Sequence, residues 1–287
     1  MAELAGQLTG QLTGQLTGQL TGQGDPETSI RLLWRGEVPT PSPPRRSGRP
    51  PGLTVDAIVD AGIAIADEAG VAGTSMRVVA DRLGVTAMAL YTYVPGKAEL
   101  VDLMYDRVHA ELPRSYDAAG GWRTALVQWA NDLLALYLRH PWVSQVSFAR
   151  AVLGPHEQAV LETLVAILRR TGLGPGLLRR IVTTLFHLAR GTAQTVTGAR
   201  LADTAGTTER DWWSRRTAAL LDVVPDFPQR FPLSTWLTRE STDHAPEDHD
   251  ESTTYVEREA VRAFRAGLNV LLDGIAAAIG PGTASVR

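Results

Sequence analysis

The 287-residue chain contains no cysteine, which excludes a disulfide framework, a thiolate metal site, a CxxC redox pair and a thiol nucleophile. No apolar run reaches the ~18 residues that a membrane-spanning helix needs. The N-terminus, MAELAGQLTG, lacks the positive start and apolar middle of a secretory signal. These absences fit a soluble cytoplasmic protein with no membrane partner. Strand signals are nearly missing, because no stretch alternates β-branched and polar residues at period two. A global basic excess is missing as well: 28 Lys and Arg face 31 Asp and Glu, a net charge of −3. A polyanion would have to meet a local cationic patch. Finally, there is no Gly-rich phosphate loop, H-E-x-x-H or G-x-S-x-G, and the neighbouring carboxylates Asp67-Glu68 have no partner base. The chain is therefore read as no enzyme, with no catalytic residue, metal or cofactor.

What is present is hydrophobic content of 44% against 21% charged residues, enough to bury a sizeable core. The first 24 residues hold Gly-Gln-Leu-Thr four times between Gly6 and Thr21. A glycine in every unit costs a helix about 1 kcal/mol each time, so residues 1–24 are expected to be disordered. Residues 25–52 are expected to form a Pro-rich linker, with a small apolar island at 28–35 worth one helical turn. Within it, residues 36–52 hold six prolines and three glycines and end in the cations Arg45, Arg46 and Arg49. These arginines are either a solvated linker or a basic arm that follows phosphates into a minor groove.

From Leu53 the pattern is helical throughout. Thr54 is a good N-cap for a helix with apolar residues at Val55, Ile58, Val59, Gly62, Ile65, Ala66 and Ala69, closed by Gly70. A short helix follows Thr74-Ser75 and ends at Leu83-Gly84. A third runs over Ala87–Tyr93, and a fourth from Lys97 to Leu112. Beyond Gly120-Gly121, candidate helices cover 122–139, 142–151, 155–171, 175–201, 208–223 and 253–279, with a loop at 224–252. The fold class is all-α, in two blocks, 53–112 and 120–280, followed by a flexible tail at 281–287.

Residues 75–94 meet the requirements of a helix-turn-helix. Ala80 supplies the small residue at the helix crossing, and Gly84 a turn tolerant of positive φ. Val79, Leu83, Val85 and Leu90 fix the angle, and Thr86 caps the second helix. The same stretch, with Leu90-Tyr-Thr-Tyr-Val94 and Lys97-Ala-Glu-Leu-Val-Asp-Leu103, resembles the DNA-binding domain of TetR-type transcriptional repressors. The resemblance is dense over 53–112. Trp122–Gly198 and Phe264–Ile275 are similar to the tetracycline-repressor-like C-terminal type.

That resemblance implies a three-helix helix-turn-helix domain and a C-terminal helical bundle for ligand binding and dimerisation. It further implies a homodimer, a double-stranded operator with two half-sites and a small, largely apolar effector. An all-helical enzyme or binding protein acting on an apolar small molecule is the alternative. The DNA contacts it implies are Arg77, Thr86, Ala87, Met88, Ala89, Tyr91, Thr92, Tyr93 and Lys97, to which Ser75 and the cations Arg45, Arg46 and Arg49 are added as expected contacts. Ala87, Met88 and Ala89 lack bidentate hydrogen-bonding groups, so readout would rest on thymine methyls and DNA shape. Tyr91 reads equally as a contact or a core aromatic, whereas Tyr93 is expected to be exposed. Residues 45–112 carry a net charge of −2, so the cations must segregate to the DNA face and most acids to the far side.

In the second block, Gly191, Thr192, Ala193 and Gly198 allow close helix approach. Val261, Phe264, Leu268, Leu271, Leu272 and Ile275 form an apolar stripe, for a second copy or for packing within one chain. An effector cavity is expected from Trp129, Tyr137, Trp142, Phe148, Phe186 and His187, with Asn131, Arg190 and Gln194 as orienting polar groups. The acidic stretch 239–251, with His244 and His249, is read as a solvated loop.

Overall fold

The structure, a computed structural model, describes residues 21–36, 53–117, 119–146, 150–203, 208–241 and 253–280. The repeat at 1–20, the arm bearing Arg45, Arg46 and Arg49, Phe148, His244, His249 and the 281–287 tail lie outside the described residues. Among the described residues all regular structure is α-helical, and no helix is long and apolar enough to cross a membrane. The chain divides into two compact units, Met1–Gln194 with Gly267–Arg287, and Thr195–Ala266.

In the first unit, α1 (Pro26–Leu33) starts at Asp25, whose carboxylate accepts from Thr28 N at 2.9 Å. The apolar island is thus two turns rather than one, because an Asp cap followed by proline at N1 sets the helix early. Thr54 caps α2 (Val55–Gly73), accepting from Ala57 N at 3.0 Å. Gly70 breaks it with φ 72°. Ser75 caps α3 (Met76–Arg82), and Thr86 caps α4 (Ala87–Tyr91). The fourth helix of this head, α5 (Lys97–His109), packs against α2 and α1. Ile58, Leu100 and Met104 are fully buried between them, each contributing about 1.5–3 kcal/mol. At Gly62 the approach is close: a Cβ would lie 2.8 Å from the Met104 sulfur.

The C-terminal part of this unit begins with α6 (Gly121–Arg139), which buries Leu126, Trp129, Leu133 and Tyr137. Next come α7 (Pro141–Gln145) and α8 (Pro155–Arg169). The helix expected over 142–151 stops at Gln145, and residues 150–154 are non-helical. No side chain of its own caps α8. Instead Asp106 of α5 accepts from His156 N and Glu157 N at 2.9 and 2.8 Å. Both α9 (Pro175–Asp203) and α13 (Tyr255–Ile279) cross from one unit to the other.

The second unit also carries α10 (Glu209–Val223), α11 (Phe227–Arg230) and α12 (Pro232–Ser241). The last two fall where a loop was expected. Pro228 and Pro232 sit at helix starts, where proline's missing N–H costs nothing. Glu209 accepts from Tyr255 N and Val256 N, at 2.6 and 3.1 Å, at the start of α13.

Candidate nucleic-acid interface

The corner between α3 and α4 is built from local chemistry. Ala80 is 1% exposed at the crossing, and Gly84 takes φ 66°, a conformation that L side chains rarely adopt. Val85 N donates to Ala80 O at 3.0 Å, which locks the turn. Leu90 and Val79, fully buried, hold α4 against the head. The Thr86 hydroxyl accepts from Ala89 N at 3.3 Å, so the start of α4 is fixed while its outer face is left open. Met88 is 73% exposed and Tyr91 45%. Thr86 and Thr92 are exposed, and Ala87 and Ala89 are half-buried.

Tyr93 corrects the sequence reading. It is 8% exposed, because the chain leaves α4 with Tyr93 N and Val94 N both donating to Leu90 O. That turn carries the ring inward, so Tyr93 belongs to the packing beneath α4.

Charge is segregated through ion pairs. Arg82 pairs with Glu68, Arg107 lies 3.5 Å from Asp60 and 3.8 Å from Asp56, and Arg35 also pairs with Asp56. Among the described residues, Arg77 and Lys97 take part in no ion pair. Arg77 is exposed at the start of α3. Lys97 is half-buried at the start of α5, and this burial lowers its ammonium from the usual lysine value. Ser75 is occupied in capping, accepting from Val78 N at 3.2 Å. The acids Glu99, Asp102 and Asp106 are buried in α5 rather than displayed on a far surface. Each accepts from main-chain N–H groups distant in sequence.

The residues assigned to an effector cavity separate into groups. Trp129 and Tyr137 are buried on α6, and Trp129 meets Phe186 edge-on at 5.4 Å. Arg190 donates to Ser144 O and Val146 O at 2.8 and 2.5 Å. Asn131 and His187 are exposed; Asn131 donates to Val127 O at 2.8 Å on its own helix. Gln194, also exposed, donates to Ser144 O at 2.7 Å.

Trp142 is buried, but its indole N–H donates to Asp67 of α2 at 2.9 Å. It joins a junction in which the ring nitrogens of His140 lie 2.8 Å from Asp67 and 3.0 Å from Glu111. Sequence reasoning missed Tyr105 and His109. Their rings meet on α5 at a tilt of 46°, with centroids 4.5 Å apart. His109 Nδ1 lies 2.6 Å from Tyr105 O, which fixes the proton on Nδ1. Burial pulls the His109 imidazole down to about 4 and pushes the Tyr137 phenol up to about 12. The i, i+4 spacing of Tyr105 and His109 on a helix with an apolar face was the available signal.

On α13, Phe264, Leu268, Leu272 and Ile275 are buried within a single chain. Val270 and Gly274 face outward, as do Gly191 and Gly198 of α9.

The family described as "Bacterial regulatory proteins, tetR family" matches residues 58–104. "Tetracyclin repressor-like, C-terminal domain" matches residues 114–279. A curated relative, the HTH-type transcriptional repressor DrrR1 of Streptomyces coeruleorubidus, is 35% identical over 255 residues, covering 88% of this chain and 86% of its own. Among solved structures, ActR of Streptomyces coelicolor in complex with actinorhodin superposes with a TM-score of 0.62 at 24% identity, covering 80% of this chain and 99% of that one. Apo ActR gives 0.60 at 24% identity, covering 79% and 98%. At that identity the likeness speaks to the fold.

Proposed function

This chain belongs to the TetR family of helix-turn-helix transcriptional regulators, a DNA-binding and not an enzymatic family, and we propose that it is a repressor released from its operator by a small, largely apolar effector. The observation that carries the DNA-binding face is the open Thr86 end of α4, flanked by two cations that are in no described ion pair. Thr86, Ala87, Met88 and Ala89 enter the major groove. Met88 and the alanines read thymine methyls and groove shape, since they have no bidentate group to offer. Arg77, Tyr91 and Thr92 contact phosphate or sugar. Lys97 shares a phosphate with the N-terminus of α5. Ser75, which caps α3, as a further contact, and Arg45, Arg46 and Arg49 as a basic arm, complete the set. Tyr93 acts from beneath by supporting α4.

So few phosphate contacts give weak binding per copy, which favours a homodimer with two recognition helices ~34–36 Å apart on a two-half-site operator. The outward faces of α9 and α13, with Gly191 and Val270, are the proposed dimer surface. DrrR1 is a repressor by name, which supports the sign of control. The ActR complex contains actinorhodin, which supports a small-molecule effector here. Trp129, Tyr137, Phe186 and Arg190 are its proposed lining, with His109 as a neutral hydrogen-bonding group. Asn131, His187 and Gln194 are left outside that lining.

The reading is tested by passing fragmented genomic DNA over the immobilised full-length protein. A discrete set of fragments with twofold-symmetric sites should be retained, and extract of the producing cells should release them. Retention without sequence preference at 0.15 M salt would contradict the assignment.

A further inference from the structure

The segment before the head domain is packed in a way that the repeat composition does not foretell. Gly22 N donates to Asp102 Oδ1 at 2.9 Å, and Asp25 N donates to Glu99 Oε1 at 3.1 Å. Both carboxylates are buried. Burial is the largest influence on Asp102 and raises its carboxyl above the usual aspartate range, so the N–H donor there offsets a real desolvation cost. Two glycines are fitted to this approach. Gly22 has φ 64°, and a Cβ at Gly24 would lie 2.8 Å from the Glu99 carboxyl carbon and from the Ser29 hydroxyl.

The other side of the same segment reaches the C-terminal part of the unit. The Thr21 hydroxyl donates to Arg150 O at 2.6 Å, and the Trp34 indole donates to Leu153 O at 2.9 Å. Leu33 is buried and α1 packs on α5. Arg35 closes the far end on Asp56 of α2.

We propose that residues 21–35 are a clip that keeps the start of α5 competent for DNA by enclosing the Glu99 and Asp102 carboxylates and tying that helix to residues 150–153. The inference rests on the DNA-binding reading above and adds to it a positioning device. Glu99 and Asp102 follow Lys97 by two and five residues, roughly 3 and 8 Å along the helix axis. With the clip seated, both charges are buried and engaged by N–H groups. Unseated, they stand in solvent beside the proposed phosphate contact of Lys97, where two negative charges oppose the approach of a phosphate backbone. Because one edge of the clip is held by residues 150–153, displacement of that segment draws the clip off α5. This gives the C-terminal part of the unit a direct hold on the head.

The test uses the full-length chain and the duplex that the wild-type protein selects from a random-sequence pool. In Gly22→Pro/Gly24→Val the first change forbids the positive φ and removes the N–H, and the second cannot fit beside Glu99. This variant should bind the selected duplex at least tenfold more weakly at 0.1 M salt. Adding Glu99→Gln/Asp102→Asn should recover affinity to within threefold of the same pair made in the wild-type background. Should the first variant not fold, Thr21→Val/Trp34→Phe loosens only the 150–153 side, and a threefold loss with the same rescue is expected. Binding within twofold of wild type with residues 21–35 freely exchanging hydrogen overturns the proposal. So does a loss that the carboxamide pair leaves in place. If the wild-type protein selects no sequence from the pool, the DNA-binding reading itself fails, which is a separate outcome.

Discussion

Arg77→Ala lowers affinity for the selected duplex by on the order of a hundredfold in the proposed dimer, since two charge-assisted contacts of about 1.5 kcal/mol are lost. The same change flattens the plot of log K against log salt by about 1.8, because two phosphates are no longer neutralised. Mobility-shift titrations between 0.05 and about 0.3 M salt, a range over which such slopes are readily resolved, read both quantities. The physical reason lies in how the head distributes its charge. Arg82, Arg107 and Arg35 are each held by carboxylates, which leaves Arg77 and Lys97 as the head cations in no ion pair among the described residues. Arg82→Ala, by contrast, removes a cation already paired with Glu68 and leaves the salt slope unchanged.

The second large effect concerns the junction between the head and the helices that follow. Asp67 accepts from the Trp142 indole and faces a ring nitrogen of His140, while Glu111 faces the other. Both His140 and Trp142 are buried. Asp67→Ala strands the buried Trp142 N–H and removes one carboxylate partner of the His140 ring, and is expected to lower unfolding free energy by about 2–4 kcal/mol. Asp67→Asn keeps one acceptor oxygen, and about half that loss is expected. Denaturant titration followed by far-UV circular dichroism measures both. Equal losses for the two variants would show that the charge, rather than acceptance of hydrogen bonds, holds the junction together.

Much of the head was legible because its determinants are local. An N-cap, a small residue at the crossing and a glycine at positive φ act within a few residues of one another, and Thr54, Ala80, Thr86 and Gly84 do what their chemistry allows anywhere. What the sequence hid was non-local. Glu99, Asp102 and Asp106 look like ordinary surface acids on an amphipathic helix. Their partners are main-chain N–H groups about fifty to eighty residues away, and no periodicity reports that. Tyr93 was misread for a related reason: its burial depends on the direction in which the chain leaves α4, which a pattern of residue types does not specify.

The region before the head shows the same limit. Gly-Gln-Leu-Thr repeats have poor helical propensity, yet Thr21 and Gly22, the end of that tract, are held by Arg150 and Asp102. Tertiary contacts there outweigh composition. The helices at Phe227–Arg230 and Pro232–Ser241 fall in the stretch 224–252 expected to be a loop, where proline at a helix start favours the helix instead of breaking it. The effector residues were chosen by type alone, so the set mixed buried Trp129 and Tyr137 with exposed Asn131 and His187.

The central claim is that the Thr86 end of α4 enters a major groove, twice, on one face of the duplex. A chain without cysteine allows this to be measured at one atom: Met88→Cys, labelled with an iron chelate and bound to the selected duplex, cuts DNA wherever residue 88 resides. Cleavage confined to two symmetric major-groove sites about 10 base pairs apart is the predicted result. Cleavage spread evenly along the bound duplex, or none while the labelled protein stays bound, would contradict it.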